Sequence, residues 1–443
     1  MREFVLILTS IIISVSISSA QELKDKIVSG RNIQKKEKEH LFHKSIKLET
    51  DLIFNKLVEI RRDFHENPEL AGNEKRTGKI IQQYLLALGL EVDTNIYGYG
   101  VIGILKGAGT GKKIVWRSDM DALPADYAEE VTFKSQKKGV RHGCGHDIHM
   151  AIGLGIAEVL AKNKRSLNGT VYFIFQPEEE TFTGAKAMIN NDLFSKIGPD
   201  EIYGLHVTAL PAGQIMVKPG EMFAYQKRVR IKLKNELPNE AVQVLTKGIR
   251  RVLSRAGKGS KPWELQHIGD SKIGLANPNT IYKDYLIIDE TFTTYSRDSV
   301  LFLQANLYET NSANLKDLIP EITQVIEDSG YKDQLLSVSF VHENPTVIND
   351  RKLTDISIKT LNRIYGSDSV IRDYGQVPFF NDDFAYFQQK IPGVYFFLGG
   401  SNFEKGIIAM NHSPKFQVDE ESIRTGVACF SSLIAERLNK LEW

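Results

Sequence analysis

The sequence concentrates metal-binding side chains in one short run. His142, Cys144, His146 and His149 lie within eight residues, although the whole chain of 443 residues has only 10 His and 2 Cys. Thiolates and imidazoles bind divalent transition metals, whereas hard cations prefer oxygen. The glycines beside Cys144 let the backbone turn tightly, so Cys144 and His146 can point at one place. The run therefore predicts metal ligation. The alternatives are a buried apolar role for Cys144 and a nucleophilic Cys144 activated by His146.

Further donor side chains follow apolar runs that are typical of strands. The predicted strands and their donors are Ile114–Trp116 with Asp119 and Asp121, Thr170–Phe175 with Glu178, Glu179 and Glu180, Glu201–Leu205 with His206, and Gly393–Leu398 with His412 after a loop. In open α/β sheets, ligands bind outside the carboxyl ends of strands. Each donor alone is compatible with a solvated helix start or a structural His. Together they predict a metal centre at one sheet edge.

The strands alternate with predicted helices, which indicates an α/β sheet covered on both faces. The helices are expected from Glu49, with Leu52, Leu57, Ile60 and Phe64 on one face, and over Lys75–Leu88, Met150–Ala161, Gly184–Asn190 and Glu420–Leu441. A Gly-rich turn at residues 107–111 separates strands 101–105 and 113–116. This turn favours a hairpin over a phosphate-binding loop.

A second unit interrupts this pattern. From about residue 228 to 341 the order becomes strand, helix, two strands, helix and strand, which is the order of a ferredoxin-like unit. We therefore predict a catalytic domain at 49–223 and 345–443, with an inserted domain at 224–344.

The amino terminus predicts export. Phe4–Ser19 is an apolar run preceded by Arg2, and Ala20 offers a cleavage site for a signal peptide covering residues 1–20. An uncleaved anchor is the alternative. Residues 21–48 are polar and indicate a linker or exposed helix. We expect an exported protein with no stable membrane insertion after cleavage. The net charge of +1 gives no reason to expect nucleic acid as a partner.

The motifs as a set resemble the co-catalytic two-metal amidohydrolases, a family that includes hippurate hydrolase, plant auxin-conjugate hydrolases and N-acyl-amino acid amidohydrolases. The matching segments occur in the family's order and are Arg61–Leu70, Arg117–Pro124, His142–Ala151, Phe175–Glu180, Gly204–Val207 and Asn411–Phe416. The resemblance implies a zinc-exopeptidase-like α/β/α catalytic domain. It also implies that the inserted domain acts as a lid and a dimerisation domain, so a homodimer is expected.

The resemblance also implies roles for single residues. The implied metal ligands are Cys144, His146, Glu180, His206 and His412, holding two divalent ions (Zn, Mn, Co or Ni). Glu179 would be the general base, and Asp119 and Asp121 would orient ligands. His65, His142 and His149 are expected to hydrogen-bond behind the ligands. Cys429, in the terminal helix, is expected to be buried and separate from Cys144.

The inserted domain departs from the family. Relatives carry a His after its first strand, whereas residues 234–239 contain none. Polar family positions correspond to Thr280 and Thr293, and His267 is a candidate substitute for the missing His. Because Glu179 is retained, we expect an enzyme that cleaves an amide bond of a small N-acyl-amino acid or peptide-like substrate. The alternative is a binding protein that kept its metals.

Overall fold

The structure is a computed structural model that describes residues 37–127, 129–234 and 237–439. The predicted signal peptide and residues 21–36 of the predicted polar segment lie outside the described residues. Within the described ranges, no helix combines the length and the apolar character that a membrane span requires.

The helices and strands of the described residues alternate along much of the chain. The α-helices are α1 (37–66), α2 (Lys75–Ala87), α3 (His146–Lys162), α4 (Gly184–Asn190), α5 (Leu193–Ile197), α6 (Asn239–Leu253), α7 (Leu318–Ile326), α8 (Arg351–Tyr365), α9 (Phe384–Gln388) and α10 (Glu421–Leu438). The β-strands are β1 (Glu91–Asp93), β2 (Val101–Lys106), β3 (Gly109–Asp119), β4 (Leu123–Pro124), β5 (Val140–Arg141), β6 (Asn168–Gln176), β7 (Glu201–Pro211), β8 (Ile215–Val217), β9 (Gly220–Glu221), β10 (Tyr225–Lys234), β11 (Arg255–Ala256), β12 (Tyr285–Ile288), β13 (Thr293–Arg297), β14 (Val300–Glu309), β15 (Leu335–His342), β16 (Ile348–Asn349), β17 (Val370–Arg372) and β18 (Gly393–Ser401).

The larger sheet has eight strands in the order β1-β2-β6-β3-β7-β18-β8-β17. Its central strands β6, β3, β7 and β18 run parallel to one another. Strands β1, β2 and β8 join the sheet through antiparallel pairs. Because parallel strands end at the same edge, the four carboxyl ends expected to bear donors meet there. The predicted α/β fold class is confirmed.

Helices cover both faces of this sheet, because successive strand residues point to opposite buried sides. Trp116 belongs to the core formed with α1, α2, α3, α8 and α10, whereas its neighbour Val115 belongs to the core formed with α4, α5 and α9. Both side chains are at most 1% exposed. Burial on both sides explains why these strands read as continuous apolar runs in the sequence.

The Gly-rich turn at residues 107–111 does not form the predicted hairpin. Strands β2 and β3 both pair with β6, which lies between them. The glycines instead permit a close backbone approach: a Cβ on Gly107 would lie 2.4 Å from the carbonyl oxygen of Leu167. A Cβ on Gly111 would lie 2.8 Å from the amide nitrogen of Gly169. The prediction was wrong because strands adjacent in sequence are not adjacent in this sheet.

Helix α1 is longer than expected and presents a different face. Leu57 and Phe64 are fully buried, as predicted, but Leu52 is 77% exposed. The buried face runs instead through Ile46 and Ile53. Each residue turns a helix by about 100°. Choosing Leu52 instead of its neighbour Ile53 therefore placed the predicted apolar face toward solvent at this turn.

The second sheet pairs β11, β12, β14, β10 and β15 in that order, and β13 pairs with β14 beside β12. Helices α6 and α7 cover one face of it through a core that includes Ile231, Leu245, Leu303 and Ile322. The order β10-α6-β12-β14-α7-β15 is the β-α-β-β-α-β arrangement read from the sequence. Strand β13 is an addition to it.

Two short neighbouring strands link the second sheet to the first. Strands β9 and β16 pair antiparallel, with Ile348 opposite Glu221. The amide of Met222 donates to the carbonyl of Val347 at 3.0 Å. The two chain segments that connect the large and second sheets therefore run side by side as a separate two-stranded sheet.

A further connection, which we call the strap, consists of residues 257–283 between β11 and β12. Leu275 and Tyr282 of the strap are buried in the core that also contains α9. The amide of Tyr374 donates to the carbonyl of Leu275 at 2.9 Å, and the amide of Gln376 donates to that of Tyr282 at 2.8 Å. The strap therefore packs on the large sheet although it belongs to the segment between the small-sheet strands.

Candidate metal centre

The turn before α3 places two of the predicted ligands. Gly145 has a φ of 96°, and a Cβ there would lie 2.3 Å from Cγ1 of Val207. This backbone requires glycine. It puts Cys144 just before the turn and His146 at the first position of α3. Gly143 has no positive φ and no such close contact, so only one of the two glycines is needed for the geometry.

The predicted donors converge into groups that share members. Each of the following sets has ligand atoms within 4.8 Å of one another: Cys144, His146 and His206; Cys144, Glu180 and His412; and His146, Glu179 and Glu180. Cys144 Sγ lies 3.3 Å from Nε2 of His206 and 3.2 Å from Nε2 of His412. Ligands of one tetrahedral ion lie roughly 3.3–3.8 Å apart, given metal–ligand bonds of about 2.0–2.3 Å. The observed spacing fits such ions.

Two imidazoles are held with one nitrogen free for a ligand. His206 places Nδ1 2.8 Å from the carbonyl oxygen of Val207, and His146 places Nδ1 2.8 Å from that of Asp121. If each Nδ1 carries the proton, Nε2 presents a lone pair to the site. Burial holds the pKa of His206 well below its usual range, so this ring is neutral. Nε2 of His146 and Oε1 of Glu180 are buried without a hydrogen-bond partner in the described residues.

The expected ligand His206 does not follow its strand. Strand β7 continues to Pro211, so His206 lies inside it. We predicted that this strand ends at Leu205 because His is polar, but the His206 side chain is only 9% exposed and continues the strand. The residue nevertheless points into the same cluster as Cys144.

His412 reaches the cluster from the loop after β18. Its amide donates to the carbonyl of Gly143 at 2.9 Å. The neighbouring Asn411 donates Nδ2 to the carbonyls of Cys144 (2.9 Å) and Val207 (3.0 Å). His412 itself has a φ of 59°, an unfavourable backbone for a residue with a Cβ. These contacts hold the strained residue in place.

Two buried carboxylates hold the turn that carries Glu179 and Glu180 by accepting hydrogen bonds from its backbone amides. Asp121 accepts the amide hydrogens of Glu179 and Glu180, one on each oxygen, at 3.0 Å. Glu74 accepts the amide hydrogen of Glu178 at 2.9 Å. Both acceptors are at most 1% exposed. Asp121 therefore positions the acidic turn.

His149 and Asp119 form the support behind the ligands. His149 Nδ1 lies 2.6 Å from Oδ1 of Asp119, and its Nε2 accepts the amide hydrogen of Val207 at 2.9 Å. Both ring nitrogens are therefore used, which agrees with the expected supporting role. Burial raises the pKa of Asp119, but His146 and Arg117 outweigh it and hold that pKa well below its usual range.

Arg117 anchors a buried network that the sequence did not reveal. The guanidinium pairs with Asp119, with Asp382 at 3.1 Å and with Asp383 at 2.9 Å. Gln176, at the end of β6, joins it by donating to Asp383 at 2.8 Å. Two adjacent acids before the short helix α9 resemble an ordinary solvated helix start. The structure shows that Asp382 and Asp383 instead pair with Arg117, which is fully buried.

The electrostatics favour cations in the cluster. Burial and the neighbouring Glu180 and Glu179 raise the pKa of Cys144 well above its usual range. A thiolate at Cys144 therefore requires a bound cation, and a Cys–His nucleophile is disfavoured. Burial, followed by Asp382 and Glu180, also raises the pKa of Glu179. The donor set fits divalent metal ions.

The remaining predicted histidines differ in their contacts. His65 lies between Asp147 and Glu129, 2.8 Å from each carboxylate. His142 was expected to hydrogen-bond behind the ligands, but neither ring nitrogen has a partner in the described residues. Burial lowers the pKa of His142 to about 3, so it packs as a neutral ring.

The candidate substitutes in the second unit do not converge on the cluster. His267 lies 3.7 Å from Glu264 and 3.9 Å from Asp270, both within the strap. Thr280 is buried and its hydroxyl donates within the strap to Ile273 at 3.3 Å. Thr293 is exposed on β13. The contacts of His267 and Thr280 are therefore local to the strap. Cys429 is buried in α10 and free, as expected.

Comparisons with known proteins show which proteins the chain resembles. Residues 115–436 match the model of "Peptidase family M20/M25/M40". Thermostable carboxypeptidase 2 of Saccharolobus solfataricus is 33% identical over 406 residues, covering 87% of this chain and 96% of that protein. IAA-amino acid hydrolase ILR1-like 4 of Arabidopsis thaliana is 28% identical, covering 88% and 87% respectively. The crystal structure of Bacillus subtilis YXEP, described as a dinuclear metal binding peptidase from the M20 family, is 26% identical and superposes with a TM-score of 0.71, covering 88% of this chain and 100% of that one.

Proposed function

Because the chain belongs to peptidase family M20/M25/M40 and is a hydrolase acting on amide bonds, we propose that it is an exported two-metal amidohydrolase. Its substrate is a small N-acyl-amino acid or peptide-like amide. The observation that carries the proposal is the buried carboxylate of Glu179, which lies 3.8 Å from His146 Nε2 among the shared donor sets.

The proposed centre holds two divalent ions. Cys144 contributes to both, His146 and His206 complete one donor set, and Glu180 and His412 complete the other. Bound ions of this kind supply an acidified water and a Lewis acid for the amide carbonyl. The shared sulfur and the 3.3 Å spacing of His412 Nε2 and Glu180 Oε1 support this arrangement.

Glu179 performs the proton transfers in the proposed reaction. It accepts the proton of the attacking water and passes it to the leaving nitrogen. A protein that only bound its ligand would have no use for a base at this point, so Glu179 favours an enzyme over the binding alternative.

The substrate class is supported by two relatives. One is named a carboxypeptidase and another an IAA-amino acid hydrolase, and both names describe release of an amino acid from an amide. The chain aligns with each over most of its length. We therefore propose an amide whose leaving group is the amino group of an amino acid.

Metal-dependent release of amine from N-acyl amino acids and dipeptides is the expected result for the purified chain. The protein is stripped with chelator, reloaded separately with Zn, Mn, Co or Ni, and assayed for free amine against a panel of both substrate types. Hydrolysis should disappear on stripping and return with at least one metal. A chain that binds the metals but releases no amine from any substrate would be a binding protein, and the proposed function would fail.

Export is proposed from the amino-terminal sequence alone. The apolar run Phe4–Ser19 followed by Ala20 supports cleavage after Ala20. We expect the mature protein to begin at Gln21, and mass spectrometry of the protein secreted by a producing cell checks this. A mature chain that retains residues 1–20 would indicate an anchor instead.

A further inference from the structure

Among the described residues, α6 and α7 cover one face of the second sheet, and the opposite face carries several positive charges. Along β10, Val229, Ile231 and Leu233 pack beneath α6 and α7. The alternating residues Arg228, Arg230 and Lys232 therefore point to the opposite side. We call these three side chains the basic face. They are neither fully buried nor fully exposed.

The positive charges of the basic face are not neutralised by the described residues. Among the described residues, no carboxylate oxygen lies within 4 Å of a charged nitrogen of Arg228, Arg230 or Lys232. Arg228 donates Nε to the side-chain oxygen of Asn306 at 3.0 Å, and Asp289 approaches it only through the same Asn306, which donates to that carboxylate at 2.8 Å. This leaves the basic face available to an anion from outside the chain.

Neutral side chains surround the other two cations. Lys232 Nζ lies 5.8 Å from the ring centre of Phe302, and the Arg230 guanidinium lies 6.0 Å from it. Tyr295 stacks on Phe302, with ring centres 4.8 Å apart. In the orientation that satisfies both of its amide atoms, the Gln304 oxygen accepts from Arg230 Nε at 2.9 Å. The cations are thus held in place by uncharged neighbours.

The side of the second sheet that bears the basic face also contacts the large domain. Tyr308, on the same side of the sheet as Phe302 and Asn306, packs edge-on against Phe379 of the large domain at 4.7 Å. Three residues later, Asp382 pairs with the buried Arg117. The side of the second sheet that bears the basic face is therefore in contact with the large domain through Tyr308 and Phe379.

We propose that Arg228, Arg230 and Lys232 guide acidic substrates into the junction between the two sheets and favour amides with more than one carboxylate. This inference rests on the proposed function and specifies its substrates. Alternate residues on a strand lie roughly 6.8 Å apart, a spacing that allows two carboxylates of one molecule to meet two cations. The predicted centre is itself rich in carboxylates, so an acidic substrate gains from positive charge nearby.

The test compares two substrates that differ by one charge, N-acetylglutamate and N-acetylglutamine. For the metal-loaded chain at low salt, kcat/KM for N-acetylglutamate should exceed that for N-acetylglutamine by roughly tenfold or more, and the ratio should fall as salt is added. In the double variant Arg230→Gln/Lys232→Gln the ratio should fall by about threefold or more, because two of the three charges that attract the second carboxylate are lost.

The matched control removes two charges from the opposite side of the same domain. Lys247 and Arg251 are exposed on α6, which covers the other face of the sheet. The double variant Lys247→Gln/Arg251→Gln should keep the wild-type ratio. If both double variants lower the ratio equally, the effect comes from net charge alone and the basic face is overturned.

Failure of the inference and failure of the proposed function give different results. Hydrolysis of both substrates with an unchanged ratio in Arg230→Gln/Lys232→Gln would overturn the inference and leave the function standing. If neither substrate is hydrolysed, calorimetric binding of the same two molecules to a Glu179→Gln chain decides the inference. There, equal affinities with and without the basic-face substitutions would overturn it.

Discussion

Replacing Glu179 by Gln is expected to lower kcat by at least about 10², the lower end of what a general base contributes. The amide keeps the size of the side chain but cannot accept a proton from water. Metal content should be retained, because the remaining donors of both sets are untouched. Steady-state turnover, measured together with metal analysis of the same sample, checks both expectations.

The neighbouring Glu178 provides the control for that substitution. Its carboxylate accepts hydrogen bonds from Tyr97 at 3.1 Å and from Thr183 at 2.8 Å, away from the donor sets. Glu178→Gln should therefore keep most of the turnover. An active Glu179→Gln beside an inactive Glu178→Gln would show that the base has been assigned one residue too late in the acidic run.

Replacing Cys144 by Ser is expected to remove most of the bound metal. Cys144 belongs to both donor sets, and a serine hydroxyl is a poor replacement for a thiolate. The loss of affinity should exceed the roughly 10- to 100-fold that follows loss of an outer hydrogen bond to a ligand. Metal analysis after dialysis should give close to two ions per chain for the unmodified protein and clearly fewer for the variant.

Cys429→Ser is the matched control, since Cys429 is the second buried free thiol and lies in α10. Its metal content should equal that of the unmodified protein. Full retention of two ions by Cys144→Ser would contradict the shared sulfur ligand. An unmodified chain that binds no ion under any loading would contradict the centre itself.

The sequence predicted the parallel core of the fold because its signals are local. Burial on both sides turns β6, β7 and β18 into apolar runs. The donors of β6 and β7 lie directly at those runs, whereas His412 follows β18 only after a loop. The same local reading could not order the strands: β2 and β3 looked like a hairpin, yet β6 separates them. Strand order depends on contacts between distant segments, which periodicity does not contain.

Part of the candidate metal centre could likewise be predicted from local sequence, and part could not. The ligand types and spacing were readable at Cys144 and His146, which lie two residues apart. The supporting role of Glu74 was not readable, because Glu74 resembles a solvated helix start and yet accepts the amide hydrogen of Glu178 while fully buried. His142 shows the opposite error. Its position suggested a hydrogen bond, but it lies without a partner among the described residues.

The strap changes how the second unit can move. A domain that is joined to another only by two neighbouring strands can rotate easily about one hinge axis. The pairing of Ile348 with Glu221 supplies such a line, but the bonds from Tyr374 to Leu275 and from Gln376 to Tyr282 add a separate tie. A rotation of the second sheet must therefore bend the strap at its ends or pull Leu275 and Tyr282 from their core. How far the second sheet can rotate therefore depends on how easily the backbone bends at the two ends of the strap, beside Gly257 and Asp284, as well as on the hinge strands.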